Sequence, residues 1–169
     1  MLNGPFPPWP SYTPEEADAV QRVLLSNKVN YWTGDECRAF EREFAAFAGT
    51  EYAVAVANGT VALDLALRAL GIGAGDDVLV TSRTFLASAS AIVNVGARPV
   101  FADVDRDSQN ITAETVAAAL TPATKAVLCV HLAGWPCDMD AMTALAEQHG
   151  LYLIEDCAQA HGATWRGRP

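Results

Sequence analysis

Short apolar runs alternate with amphipathic stretches over most of the chain, and this alternation predicts strands and helices. The predicted strands are the near-continuous apolar runs at 53–57, 78–82, 99–104, 125–132 and 151–157. The helices predicted between them cover about 61–70, 84–95, 112–120 and 139–149. Strands that are apolar throughout are buried on both faces, and strands that alternate with helices run parallel. The pattern therefore predicts an α/β fold with a mostly parallel sheet between layers of helices.

The N-terminal segment follows a different pattern. Residues 1–12 are rich in proline and aromatic side chains, which indicates an extended arm. A helix is predicted to begin after Thr13, because Pro14 suits a first helical turn and Glu16 stands at the capping-box position. After a loop, a second helix is predicted over about 35–47.

Composition and charge narrow the possible functions. The 169 residues are 51% hydrophobic and 18% charged, which is typical of a globular protein, and the net charge is −9. Such a charge disfavours nucleic acids and anionic membranes as partners. No apolar run approaches the roughly 18 residues that span a bilayer, and no signal peptide is recognisable. Four cysteines without CxxC spacing indicate reduced thiols in the cytoplasm.

The first candidate site residues follow the first two predicted strands. Ligands of open parallel sheets bind beyond the carboxyl ends of the strands. Asn58, Gly59 and Thr60 stand there before a helix, and a helix N-terminus with a hydroxyl can bind an anion such as phosphate. Phe85 follows the next strand and can stack on a flat ring. An ordinary helix cap and a core aromatic side chain are the alternative interpretations.

Acidic residues end the last predicted strand. Glu155 and Asp156 point to opposite faces if the strand persists, so at most one of them should meet a given ligand. A carboxylate at this position can hold a protonated heterocyclic nitrogen, and Gln159 can reach the same ligand. The alternative is a pair of acids whose partners are helix N-termini.

Two clusters look like metal motifs but predict no metal. The acidic segment 103–114 imitates a calcium loop, but Ser108 stands where that loop needs glycine. The thiols and the imidazole of Cys129, His131 and Cys137 lack the spacing of a zinc site.

Five motifs in order resemble one known family over about residues 30–169. They are NGT, TSRTF, DVD, HLAGWPCDMD and IEDCAQAHGA. Together they resemble the DegT/DnrJ/EryC1/StrS family of sugar aminotransferases, which depend on pyridoxal 5′-phosphate. The resemblance implies the three-layer sheet of the aspartate-aminotransferase large domain (fold type I), incomplete at the C-terminus. Residues 1–34 would form the arm, helix and loop. Residues 35–169 would form the N-terminal portion of the cofactor-binding large domain. The rest of the large domain and the C-terminal small domain would be absent from this chain.

The resemblance also implies roles for individual residues. Gly59 and Thr60 would bind the cofactor phosphate, and Phe85 would stack on the pyridine ring. Asp156 would pair with the protonated ring nitrogen, and Gln159 would hydrogen-bond the ring hydroxyl.

Two further positions matter for the resemblance. His161 matches a polar position near the cofactor. The family's Schiff-base lysine follows the EDCAQAHGA motif by roughly two dozen residues, and neither Lys28 nor Lys125 matches it. The chain itself therefore supplies no catalytic residue, and we expect the lysine and the rest of the fold beyond Pro169.

The resemblance implies an aminotransferase that moves an amino group, from glutamate, to a nucleotide-linked keto sugar in polysaccharide or antibiotic-sugar biosynthesis. The proline-rich arm and an unfinished sheet edge favour a homodimer. Two alternatives stay open. One is a sugar dehydratase of the same family, in which histidine replaces the lysine. The other is a non-catalytic regulator or binding module.

Overall fold

A computed structural model describes residues 8–169, so most of the predicted extended arm lies outside the described residues. The packing of the chain divides it into two compact units, one up to Ala55 and one from Val56 to Pro169. None of the helices between residues 8 and 169 is both long and apolar enough to cross a bilayer. The assignment of residues 35–169 to one larger domain stays a prediction.

The first unit contains the two predicted helices. Helix α1 spans Pro14–Ser26 and helix α2 spans Glu36–Ala48. The predicted capping box is present, because the Thr13 N–H donates to Glu16 Oε2 at 2.6 Å and the Glu16 N–H donates to Thr13 Oγ1 at 3.3 Å. Gly49 ends α2 with a φ of 64°, a left-handed conformation that glycine adopts without strain.

The second unit is built on a four-stranded parallel sheet, as the apolar pattern predicts. The strands are β1, Asp77–Thr81; β2, Arg98–Ala102; β3, Thr124–Val130; and β4, Tyr152–Asp156. Their order in the sheet is β2-β1-β3-β4. The helices are α3, Gly59–Ala69; α4, Leu86–Asn94; α5, Ala113–Ala119; and α6, Met139–His149.

Two apolar cores, one on each face of the sheet, produce the three layers. Successive strand residues point to opposite faces, so Val78 and Val80 of β1 join one core while Leu79 joins the other. The first core includes side chains of α3 and α4, such as Leu67, and the second includes side chains of α5 and α6, such as Met142. The expected three-layer α/β architecture is confirmed.

The first predicted strand is wrong. The apolar run 53–57 forms no strand, and within residues 8–169 it has no hydrogen-bonded partner strand. Val54 in this run is 69% exposed. A strand needs a neighbouring backbone as well as an apolar sequence, and the described part of the chain provides none here.

An ion pair between a buried carboxylate and an exposed guanidinium anchors the amino end of the sheet. The Asp77 side chain of β1 is only 3% exposed and faces Arg98 of β2. It accepts hydrogen bonds from Arg98 Nε at 2.7 Å and from Thr121 Oγ1 at 2.5 Å. Hydrogen bonds lower the pKa of Asp77 from 3.8 to about 2, and the bond from Arg98 has a larger effect than the bond from Thr121.

We expect Asp77→Asn to lower the free energy of unfolding of the complete protein above pH 4. We also expect the free energy of unfolding of the variant to depend less on pH between about pH 4 and pH 2. A carboxyl group whose folded pKa is depressed stabilises the fold above its unfolded pKa, and this stabilisation disappears as the pH falls through the folded pKa. Between about pH 4 and pH 2, wild type should therefore lose more free energy of unfolding than the variant. Denaturant unfolding of both proteins across that range measures the difference, and parallel curves would contradict the prediction.

Candidate functional site

The predicted site residues of the second unit lie at the carboxyl edge of the parallel sheet or at a helix N-terminus. Phe85 precedes α4 directly after the turn that ends β1, and Asp156 is the last residue of β4. Gly59 and Thr60 form the first turn of α3. Gln159 and His161 follow β4 in the turns after it.

The start of α3 has the features of an anion site. The Asn58 side chain accepts the Val61 N–H at 3.0 Å, and the Asn58 carbonyl accepts the Ala62 N–H. The first N–H groups of a helix have no intrahelical partner, so those of Gly59 and Thr60 remain to meet a ligand. A side chain built at Gly59 would meet nothing within 4 Å, so the space beside it is open. The positive end of the helix dipole favours a phosphate there.

An exposed aromatic ring and a tethered carboxylate provide two further elements. Phe85 is 74% exposed, so its ring face is open to stacking on a flat ligand. Asp156 is half-buried and accepts hydrogen bonds on both carboxylate oxygens. Ser88 Oγ donates to Oδ2 at 2.9 Å, and the Ala158 N–H donates to Oδ1 at 3.1 Å.

Gln159 is oriented by the turn that follows β3. Its Oε1 accepts the N–H of Ala133 at 2.7 Å, so its amide NH₂ is the group left to donate to a ligand oxygen. Ala133 has a left-handed φ of 55°, which costs a non-glycine residue free energy. At Gly134 a side chain would crowd the Gln159 carbonyl oxygen at 3.3 Å. The HLAGW segment is therefore shaped to hold Gln159.

Glu155 turns away from Asp156 and contacts a histidine. His131 Nε2 lies 2.9 Å from Glu155 Oε2, and His131 Nδ1 accepts the N–H of Cys137 at 3.1 Å. Because Nδ1 is an acceptor, the single ring proton sits on Nε2 and is donated to Glu155. Cys157 lies beside this pair, and the three ligand atoms fall within 4.8 Å of one another.

Sequence reasoning missed two residues of this site. Ser88 lies 68 positions from its partner Asp156, and Ala133 lies 26 positions from Gln159. The only sequence signal for Ser88 is its place one helical turn after Phe85. His161 is exposed, and its place near a cofactor stays a prediction. Lys125 is the second residue of β3, at the amino end of the strand and therefore away from the carboxyl edge.

An open helix N-terminus, an exposed ring, an oriented carboxylate and an amide donor suit a flat, phosphorylated heterocycle with a basic nitrogen and a hydroxyl. Pyridoxal phosphate has these groups, so the residues fit the cofactor that the motifs imply. The chain also matches the model of the DegT/DnrJ/EryC1/StrS aminotransferase family over residues 10–169. It belongs to this family, whose members depend on pyridoxal phosphate.

Known relatives agree with this assignment. The chain is 50% identical over 150 residues to the dTDP-3-amino-3,4,6-trideoxy-alpha-D-glucose transaminase of Streptomyces venezuelae, covering 89% of this chain and 39% of the relative. It is 47% identical over 168 residues to the L-glutamine:2-deoxy-scyllo-inosose aminotransferase of Streptomyces lividus, covering 96% of this chain and 40% of that relative.

A solved structure, an aminotransferase from Psychrobacter cryohalolentis, superposes with a TM-score of 0.95. Its sequence identity to this chain is 68%, over 97% of this chain and 42% of that one. The chain thus spans about two fifths of the length of the proteins it matches. The fold type and the family expected from the motifs are confirmed, and the members of this family are aminotransferases that depend on pyridoxal phosphate.

Proposed function

We propose that the complete protein transfers an amino group from glutamate to a nucleotide-linked keto sugar, with pyridoxal phosphate as cofactor. The observation that carries the cofactor part is the shared edge of the sheet, where Phe85, Asp156 and Gln159 present a ring face, a carboxylate and an amide donor. The sugar rests on the family and on relatives named for amino sugars, and glutamate as donor rests on the family resemblance alone.

Each candidate site residue of this chain would contact one group of the cofactor. Gly59 and Thr60 would bind the phosphate, and Phe85 would cover one face of the ring. Asp156 would hold a proton on the ring nitrogen, and the amide NH₂ of Gln159 would donate to the ring oxygen. Bound pyridoxal phosphate supplies the electron-accepting ring that transamination needs, and a protonated ring nitrogen strengthens that property.

The names of the relatives support two substrate classes. The Streptomyces venezuelae relative is named for a dTDP-linked amino sugar, and the Streptomyces lividus relative for a cyclic ketone without a nucleotide, with L-glutamine as donor. The second candidate function is therefore amination of such a cyclitol ketone from glutamine.

A two-by-two assay of the complete protein separates these functions. Glutamate or glutamine is combined with a dTDP-keto sugar or with 2-deoxy-scyllo-inosose, and amino products are detected by mass spectrometry. We expect product from glutamate and the dTDP-keto sugar. Product only from glutamine and the inosose would favour the second candidate. Loss of water from the sugar without amination would favour the dehydratase alternative, and no reaction with bound cofactor would favour a regulator.

We further propose that the complete protein is a cytoplasmic homodimer. Helix α1 has no buried residue, although Val20, Leu24 and Leu25 are apolar and exposed. Trp9 and Tyr12 before it are also largely exposed. Such a surface favours cover by a second copy of the chain. Sedimentation of the complete protein as a monomer at micromolar concentration would contradict the dimer.

A further inference from the structure

A buried hydroxyl supports the Asp156 carboxylate. Ser88 lies in the first turn of α4 and is 0% exposed. Its Oγ is 2.9 Å from Asp156 Oδ2. An ionised carboxylate has no proton to give, so Ser88 is the donor in this hydrogen bond.

A second hydroxyl extends the contact to a chain of two hydrogen bonds. Thr84 Oγ1 lies 2.8 Å from Ser88 Oγ. Since the single proton of Ser88 is directed at Asp156, Thr84 must donate to Ser88. In such a chain each donation polarises the next hydroxyl, which strengthens the bond that reaches the carboxylate.

The direction of the Asp156 side chain is thereby fixed from two sides. Ser88 holds Oδ2, and the Ala158 N–H holds Oδ1 at 3.1 Å. The segment from Thr84 to Ser88 also carries Phe85, so one short stretch presents the exposed ring and braces the carboxylate. A displacement of this stretch would move both together.

We propose that Ser88, with Thr84 behind it, is a positioning residue that aims the Asp156 carboxylate at the ring nitrogen of the cofactor. This inference rests on the proposed function in one respect, namely that the cofactor is pyridoxal phosphate. Without the Ser88 hydroxyl, Asp156 keeps one hydrogen-bond donor within residues 8–169, the Ala158 N–H, and can rotate about its side-chain bonds. The Asp156 carboxylate then faces the ring nitrogen for a smaller fraction of the time.

Three variants of the complete protein test this inference. Ser88→Ala removes the hydroxyl, and Ser88→Thr retains one. Ser90→Ala makes the same change on the same helix, where the serine hydroxyl donates to the Ala87 carbonyl oxygen at 3.5 Å. The readouts are the dissociation constant of pyridoxal phosphate and the nitrogen-15 NMR shift of ring-labelled bound cofactor, which reports protonation of the ring nitrogen.

We expect Ser88→Ala to weaken cofactor binding by about tenfold, the scale of one hydrogen bond to a charged group. Its ring-nitrogen shift should move toward the unprotonated value. Ser90→Ala should match wild type on both readouts, and Ser88→Thr should restore most of the loss. If Ser88→Ala does not fold, Thr84→Val should show a smaller change in the same direction.

Values within twofold of wild type for Ser88→Ala, or for Thr84→Val where Ser88→Ala does not fold, would overturn the inference. An equal loss in Ser90→Ala would also overturn it, because the effect would then belong to the helix as a whole. Failure of the proposed function looks different. In that case wild type either binds no pyridoxal phosphate, or binds it and forms no amino sugar.

Discussion

Asp156→Asn in the complete protein should retain the fold and lose transamination by about 100- to 1,000-fold in kcat, the scale seen when one preorganised electrostatic contact is removed. Asparagine has the size of aspartate but no charge, so it cannot hold a proton on the ring nitrogen. The ring then accepts electrons less readily. Steady-state kinetics with saturating cofactor measure the loss, and circular dichroism reports the fold.

Glu155→Gln is the matched control, because it makes the same change at the adjacent residue. The glutamine Oε1 can still accept the proton of His131, whose Nε2 lies 2.9 Å from Glu155 in the wild-type protein. Since Glu155 points to the face of β4 opposite Asp156, we expect the kcat of Glu155→Gln to stay within a fewfold of wild type. Near wild-type turnover in Asp156→Asn would remove Asp156 from the site.

The same substitution also tests the local hydrogen bonds. Asparagine offers one acceptor oxygen where aspartate offers two, so either Ser88 or the Ala158 N–H loses its acceptor. An unsatisfied polar group costs on the order of 1 kcal/mol of stability, which is small against the expected loss of activity. The two effects are therefore separable by unfolding and kinetic measurements on one variant.

The sheet could be predicted from the sequence because the apolar runs are bounded by helices. The runs at 78–82, 99–104, 125–132 and 151–157 all contain strands, with ends that differ by a few residues. The run 125–132 ends at Val130 because His131 and the turn after it leave the ladder. The run 53–57 was indistinguishable from these by composition. Apolar character indicates burial, whereas pairing depends on another segment of backbone.

The candidate site could be predicted in part, for a topological reason. Parallel strands end at one edge, so the residues that follow each strand in the sequence collect there, as Phe85 and Asp156 do. Long-range partners carry no such signal. The pairing of Ser88 with Asp156 requires α4 to pack beside the end of β4. Likewise, the alternative interpretation gave the acids at the end of β4 helix N-termini as partners, and Glu155 instead meets His131.

Residues 1–169 contain two lysines, and neither matches the position of the family's Schiff-base lysine. Lys125 lies at the amino end of β3, while the candidate cofactor residues of the second unit lie at the carboxyl edge or the α3 N-terminus. Lys28 lies in the loop between α1 and α2 of the first unit. We therefore expect the lysine that bonds to the cofactor, and then moves the substrate proton, outside these residues.

This expectation yields a prediction for the complete protein and one for the fragment. In the complete protein, Lys28→Arg and Lys125→Arg should each leave kcat within twofold of wild type, because arginine retains the charge and no catalytic amine is lost. The fragment 1–169, supplied with pyridoxal phosphate, glutamate and a dTDP-keto sugar, should form no detectable amino sugar. Proton transfer by a positioned group alone contributes about 100- to 10,000-fold, and the covalent link is lost as well. A large loss of kcat in Lys125→Arg or Lys28→Arg, or steady turnover by the fragment, would show that the catalytic amine lies within these residues after all.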